Sequence, residues 1–421
     1  MTDRMDGNER SIVGFASAAH ALVHTYELSI PVFVVVWLRE FGASTAELGL
    51  AVTGGYALFG IGALPGGVLA DRFGSRRLVA GGLAGMGLSF LALSFANGLV
   101  AVALALAGWG VAASVYHPAA LSLLSTGVEN RGTAFAYHGM AGNAGIALGP
   151  LVSALLLVAL DWQTVVRLLV VPAVAVAGYA LVVEFDEMAA VDADARESNA
   201  DGPGRAVSPS SVLADSRTLF TAGFVLALAV VMANGLFYRG TLTFLPETLG
   251  DFLPPIDELL GVVGSDSVLA AELDTASLVY AGLLTVGIAG QYAGGKLSDR
   301  VSPTLGIAGA FGALVAVAVA FVPAARIGPV PLLAVSVLLG LFLFALQPLY
   351  QATVATYTPP DGRGLSYGYT YLVSFGVGAT GATIAGYLLS TLGMGGTFLV
   401  LAVFPALGGG FALALYRWDP A

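Results

Sequence analysis

Cysteine is absent from the 421 residues, and lysine occurs once, at Lys296. The first absence excludes disulfides, thiolate metal sites and a cysteine nucleophile, and it removes any redox clue to compartment. Charge is scarce as well. Asp, Glu, Lys and Arg make up 10% of the chain, against 57% hydrophobic residues and a mean hydropathy of +0.85. A soluble domain carries about 25% charge. So much apolar surface cannot be hidden in water, and the chain is expected to sit in lipid. The polar–apolar alternation of barrel strands is also missing, because apolar runs such as 78–96 and 330–346 are unbroken. Helices are expected instead, since a spanning backbone must satisfy its polar groups internally. The sequence holds no His-Glu-x-x-His pattern and no Gly-rich phosphate loop ending in Lys-Ser/Thr, which argues against a polytopic membrane enzyme.

A span needs about 20 apolar residues. Twelve such stretches are present, at 12–38, 47–70, 78–97, 99–126, 133–160, 163–184, 218–246, 274–297, 304–323, 329–353, 365–391 and 395–416. The polar start and the length of the first stretch read as a retained span rather than a cleaved leader. Net charge is −10 and lies mostly in loops; acids with arginine in place of lysine fit a salt-adapted source and ordinary drift equally. All basic residues except Arg39, Arg167, Arg239 and Arg326 fall on the side of the termini or at its edge. The positive-inside rule then makes both termini cytoplasmic. A polar, acidic segment from Glu184 to Ser216, rich in Ser, Pro and Gly, reads as a flexible linker between halves at 1–184 and 217–421. A second polar stretch, Gly250 to Leu273, reads as an external loop.

The halves repeat each other. The run Gly66-Gly67-Val68-Leu69-Ala70-Asp71-Arg72 matches Gly294-Gly295-Lys296-Leu297-Ser298-Asp299-Arg300 at an offset of 228 (299 minus 71). His117-Pro118 matches Gln347-Pro348, and Arg131-Gly132 matches Arg363-Gly364, at offsets of 230 and 232 (347 minus 117, 363 minus 131). One slowly drifting offset implies a duplicated six-helix unit whose copies enter the membrane from the same side. Transporters built this way place substrate near the midplane between the halves.

These residues resemble the major facilitator superfamily. The run from Gly66 to Arg77 is similar to that family's signature between its second and third helices, and Gly294–Arg300 is a weaker copy. Gly145-Ile146-Ala147-Leu148-Gly149-Pro150 resembles the motif associated with antiporters. Val115-Tyr116-His117-Pro118, with Gly142-Asn143-Ala144-Gly145, looks like the fosmidomycin-resistance branch of drug exporters. One departure concerns coupling. Many proton-coupled exporters of the family carry an arginine in the fourth helix, and here Leu104 precedes Gly108-Trp109-Gly110. The resemblance implies an all-α membrane protein of twelve helices in two parallel repeats, acting as a monomer without a cofactor. It also implies that Gly67, Asp71, Arg72, Asp299 and Arg300 form a latch that joins the halves on the cytoplasmic side, with Gly67 admitting a close neighbour.

Ionisable groups within spans are costly in lipid and point to a cavity. His20, His24, Glu27 and Pro31 are spaced four, three and four apart, so they share one face of the first span. All four histidines (His20, His24, His117 and His138) lie in spans. His138, Gly142, Gly145 and Gly149 share a narrow face of the fifth, which reads as close helix packing, with a bend expected at Pro150. The seventh span carries Asn234, Tyr238 and Arg239. A carboxyl group in a partly dry site suits a proton carrier, and histidine can relay protons. Arg239 stays charged and can anchor an anionic group or pair with Glu27. Gln347, Tyr350, Gln351, Tyr357, Tyr367, Tyr369 and Tyr371 are candidates to line the other half of the cavity, with interface anchoring as the plain alternative for the tyrosines. No helix alone offers a complete metal-ligand set, so no metal site is expected. The expectation is a secondary transporter of the cytoplasmic membrane that exports a small organic solute against inward proton flow, with Glu27 as the proton site. The alternative is coupled uptake of a metabolite or small anion, with a membrane enzyme or a channel behind it. No nucleic-acid partner is expected.

Overall fold

The computed structural model describes residues 5–191, 216–255, 274–298, 300–358 and 363–418. All regular structure among them is helical. Eleven helical stretches are long and apolar enough to cross a membrane, and the last, 365–418, is twice the usual length. Gly393 breaks it at φ 63°, a left-handed value that favours glycine, so it makes two passes. The twelve spans expected from hydropathy are therefore present. Span one is Gly7–Glu40, span five Arg131–Leu157, span seven Ala222–Leu242, span eight Thr275–Ser298 and span ten Pro329–Thr356. Spans three, six and nine are Ser75–Leu93, Trp162–Val182 and Pro303–Ile327. Span twelve contains Val403–Trp418.

Among the described residues three spans are interrupted midway. Span two runs as Thr45–Ile61 and Ala63–Phe73 around Gly62. Span four runs as Leu99–Ser114 and Tyr116–Gly127 around Val115. Span eleven starts as Arg363–Tyr371, passes through a π turn at Leu372–Val377 and continues in the helix Thr380–Leu401 as far as the Gly393 break, beyond which that helix belongs to span twelve. Irregular backbone survives in a bilayer only where protein or a cavity covers it, and π turns collect at functional sites. The rings of the last two interruptions meet: His117 of span four stacks on Tyr371 at 5.0 Å and lies 6.3 Å from Phe375.

Packing repeats with the sequence. In the first half span one packs on five, two on four, and three on four and six. In the second half the matching pairs are seven with eleven, eight with ten, and nine with ten and twelve. The halves join where span two meets eleven and span five meets eight, which is one interface used twice about a two-fold. The first seam is polar and small: Thr45 donates to the Gly386 carbonyl at 2.8 Å, Thr53 to that of Ala379 at 2.9 Å, and Thr383 to Thr53 at 2.7 Å. Between apolar helices in lipid there is no hydrophobic drive, so small residues and interhelical hydrogen bonds hold such a contact.

Helix ends are satisfied by side chains. Asp6 and Glu9 form a capping box at span one, and Ser44 and Glu47 another at span two. Glu9 also accepts from the backbone of Glu129 at 3.0 Å and Asn130 at 3.2 Å, tying the starts of spans one and five. Most of the expected linker and external loop, 192–215 and 256–273, lies outside the described residues. The beginning of the linker departs from the expectation of a free tether. Glu187 accepts from the backbone N–H of Ser75 at 2.7 Å and Arg76 at 3.3 Å, and the backbone N–H of Asp186 donates to Asn8 at 2.7 Å. A carboxylate at a helix N-terminus meets unpaired N–H groups and the positive end of the dipole, so this segment is docked.

The fifth-span glycines pack as expected, on span one. A methyl group at Gly145 would collide with the Ala21 carbonyl, and one at Gly149 would lie 2.6 Å from Cα of Thr25. Gly145→Ala should lower the melting temperature in detergent, by overpacking of about 1–3 kcal/mol. Gly139→Ala, which points into open space, should melt like the parent. Equal melting of both variants would refute the packing role.

Candidate functional site

Glu27 and Arg239 form an ion pair across the centre, joining span one to span seven, its repeat equivalent. Both side chains are almost fully buried, at 2% and 3% exposure. The guanidinium lies over the Tyr56 ring, 3.7 Å from its centroid, with Tyr238 and Phe375 at 5.3 and 5.4 Å. Such stacking offsets part of the desolvation cost of a buried cation. The Tyr56 hydroxyl donates to the Glu27 carbonyl at 2.9 Å, so one residue of span two braces both partners.

A second row of polar groups continues from Glu27 along span one. His24 Nδ1 is 2.6 Å from Glu27 Oε2, and His24 Nε2 is 3.1 Å from His20 Nε2. His20 Nδ1 is 2.7 Å from the His138 carbonyl, and the two rings stack at 3.9 Å. The Tyr116 hydroxyl donates to the Ala16 carbonyl at 2.6 Å. It has one proton to give, so His138 Nε2, 2.9 Å away, is the donor in that contact. The His117 ring lies 5.3 Å from that of His20 and 5.6 Å from that of His24.

The structure thus gathers every expected cavity residue of the first half, and all four histidines, into one cluster, buried except for the partly exposed His24. Asn234 is buried on span seven with Oδ1 unpartnered among the described residues. Of the second-half candidates, Tyr371 stacks on the cluster, Tyr350 is buried, and Gln347 accepts from Gln291 at 2.5 Å. Gln351 is exposed, and Tyr369 hydrogen-bonds Ser216 at 2.8 Å, away from the pair. Helix five runs through Pro150 without a break.

The expected latch needs a correction. Gly67 faces open space; its neighbour Gly66 makes the close approach, where a methyl group would lie 2.7 Å from Pro118. The repeat shows the same register, Gly294 against the Ala345 carbonyl and Gly295 open. Adjacent glycines differ by about 100° around a helix, and the sequence alone does not choose between them. Arg72 and Arg300 are exposed, and Arg72 lies over Phe73 at 5.4 Å. The Asp71 side chain and Asp299 lie outside the described residues.

Residues 15–325 and 252–421 match the family model of the Major Facilitator Superfamily. Over 128 residues the chain is 38% identical to the puromycin resistance protein pur8 of Streptomyces alboniger, a match spanning 30% of this chain and 25% of that relative. It is 25% identical over 334 residues to the uncharacterised MFS-type transporter YfnC of Bacillus subtilis (strain 168), covering 78% of this chain and 74% of that one. The fold superposes on a point mutant of the nucleoside transporter NupG with a TM-score of 0.74 at 12% identity, over 97% and 100% of the two chains. It superposes on a D-xylose-proton symporter with a TM-score of 0.68 at 16% identity, over 96% and 97%.

Removing one member of a buried ion pair leaves the other uncompensated, at a cost of about 3–5 kcal/mol. Arg239→Ala should therefore melt well below the parent, and Arg239→Ala with Glu27→Gln should recover part of the loss. A double variant as unstable as the sum of the singles would show that the two side chains are not energetically coupled.

Proposed function

This chain belongs to the Major Facilitator Superfamily and is a multi-pass membrane transporter; from that premise we propose that it exports a small organic compound by alternating access, driven by protons moving inward. The observation that carries the reading is the Glu27–Arg239 pair, which ties one half to the other at the centre of the bundle. An ionised Glu27 satisfies Arg239 and holds the halves together there. A proton on Glu27 takes away that partner, and the arginine is left to a polar group of the cargo or of the protein, which changes the relative energy of the two closed states. Arg239 cannot shed its charge, so the exchange falls on the carboxylate. The termini face the cytoplasm on the arginine distribution, and the signature loops with Asp71, Arg72, Asp299 and Arg300 shut that side.

Local likeness to a puromycin resistance protein and the helix-five Gly-Pro motif favour export. Uptake of a small anion is the second reading, and it is favoured by a permanently charged Arg239 and a buried, unpartnered Asn234 oxygen on the same span.

The test is proton movement in proteoliposomes driven by a panel of organic compounds that includes puromycin and small anions. One compound should drive proton flux in the parent, and Glu27→Gln should reduce that flux by at least about tenfold, the step expected of a lost proton-transfer group. Exchange of the compound with no proton flux, unchanged in Glu27→Gln, would make Glu27 structural and sink the coupled reading.

A further inference from the structure

We infer that His20, His24 and His117 form a binding site for a late first-row divalent cation of the zinc type, inside the first half and next to the central ion pair. The inference goes beyond the transport reading and holds for any cargo.

Tautomers carry the first step. His20 Nδ1 faces the His138 carbonyl at 2.7 Å, and a carbonyl only accepts. His24 Nδ1 faces Glu27 Oε2 at 2.6 Å, and a carboxylate ionised against Arg239 also only accepts. Each Nδ1 therefore carries its ring's hydrogen. In neutral rings both Nε2 atoms are then bare, and they point at each other across 3.1 Å. Two lone pairs at that distance repel unless a positive centre joins them.

The third imidazole decides which centre. Ring nitrogens of His20, His24 and His117 lie within 4.8 Å of one another. His117 Nε2 is buried and has no hydrogen-bond partner among the described residues. A proton shared by His20 and His24 would leave that nitrogen unsatisfied, whereas a metal ion satisfies all three. Two nitrogens bound tetrahedrally to zinc at about 2.0–2.1 Å stand about 3.4 Å apart, close to the His20–His24 spacing. His117 has to close in by up to about 1.4 Å, from 4.8 Å to about 3.4 Å. Histidines four apart on a helix are a recurrent metal-binding pair. Metal-binding histidines also typically donate their other N–H to a carboxylate or carbonyl, as both do here. Imidazole donors select zinc, copper, nickel or cobalt over magnesium or calcium. His138 stays outside the set because its Nε2 is committed to Tyr116. Three protein ligands leave a fourth position for water or for a donor atom of the cargo.

The test uses the full-length protein in detergent, stripped with a chelator and titrated with Co²⁺, which reports coordination by its visible bands, then with Zn²⁺. One equivalent of Co²⁺ should bind with the absorption of a four-coordinate nitrogen site and be displaced by Zn²⁺. X-ray absorption at the zinc edge should show three imidazoles at about 2.0–2.1 Å. His20→Gln, His24→Gln and His117→Gln should each weaken binding by about tenfold or more. The absorption spectrum of the parent needs no variant, so a substitution that fails to fold does not decide the matter. No stoichiometric binding, an oxygen-only zinc shell, or full binding in a folded His117→Gln would overturn the site. Binding is read without transport, so it stands or falls apart from proton coupling.

Discussion

An arginine that keeps its charge at any physiological pH sits at the centre of this bundle, far from bulk water, and the architecture around it follows from what that charge requires. It needs a carboxylate, and Glu27 supplies one from the opposite half. It needs a polarisable face, and Tyr56 supplies that from span two. Glu27 in turn needs its second oxygen satisfied, and His24 does so. His24 leads to His20, and His20 to the backbone of span five. Spans one, two, five and seven are thus held by a single line of polar contacts that hydrocarbon could not replace. Elsewhere the helices rely on shape. The glycines of span five let it lie backbone to backbone on span one, which brings the His138 carbonyl within reach of His20.

Much of this is legible in the sequence because lipid imposes strict rules on composition. Length and hydropathy give the twelve spans, and even the break at Gly393 falls in the gap between the stretches ending at 391 and starting at 395. The duplicated landmarks at 71 and 299, 117 and 347, and 131 and 363 give the parallel repeat. Glu27, Arg239 and the histidines stand out because charged and titratable groups are rare in spans. What stays hidden is rotation and register. Tyr56 looks like any aromatic in an apolar run, yet it stacks on the guanidinium. Tyr116 lies inside a motif that draws attention to His117, while its hydroxyl fixes His138. Gly66 and Gly67 are alike in sequence and opposite in environment. Glu187 sits in an acidic, loop-like stretch, and only its place against the start of span three shows that it is docked.

The interruptions in spans two, four and eleven share one cause. A regular helix spends its polar backbone on itself and offers a neighbour side chains, or bare backbone where it carries glycine. Where the helix breaks, its backbone can approach a neighbour's, as Gly60 does against Gly376, and rings such as Phe375 and His117 can turn inward. The cost of irregular backbone is borne where protein covers it, around the site that uses it.

The seam between spans two and eleven is written in Gly, Ala, Thr and backbone carbonyls, whereas the central cluster is written in large ionisable and aromatic side chains. The two vocabularies hardly overlap. A lineage can therefore exchange the residues that meet the cargo and leave untouched those that let the halves part and close. Such a division makes new specificities accessible by few substitutions, provided that the ion pair linking the halves is kept.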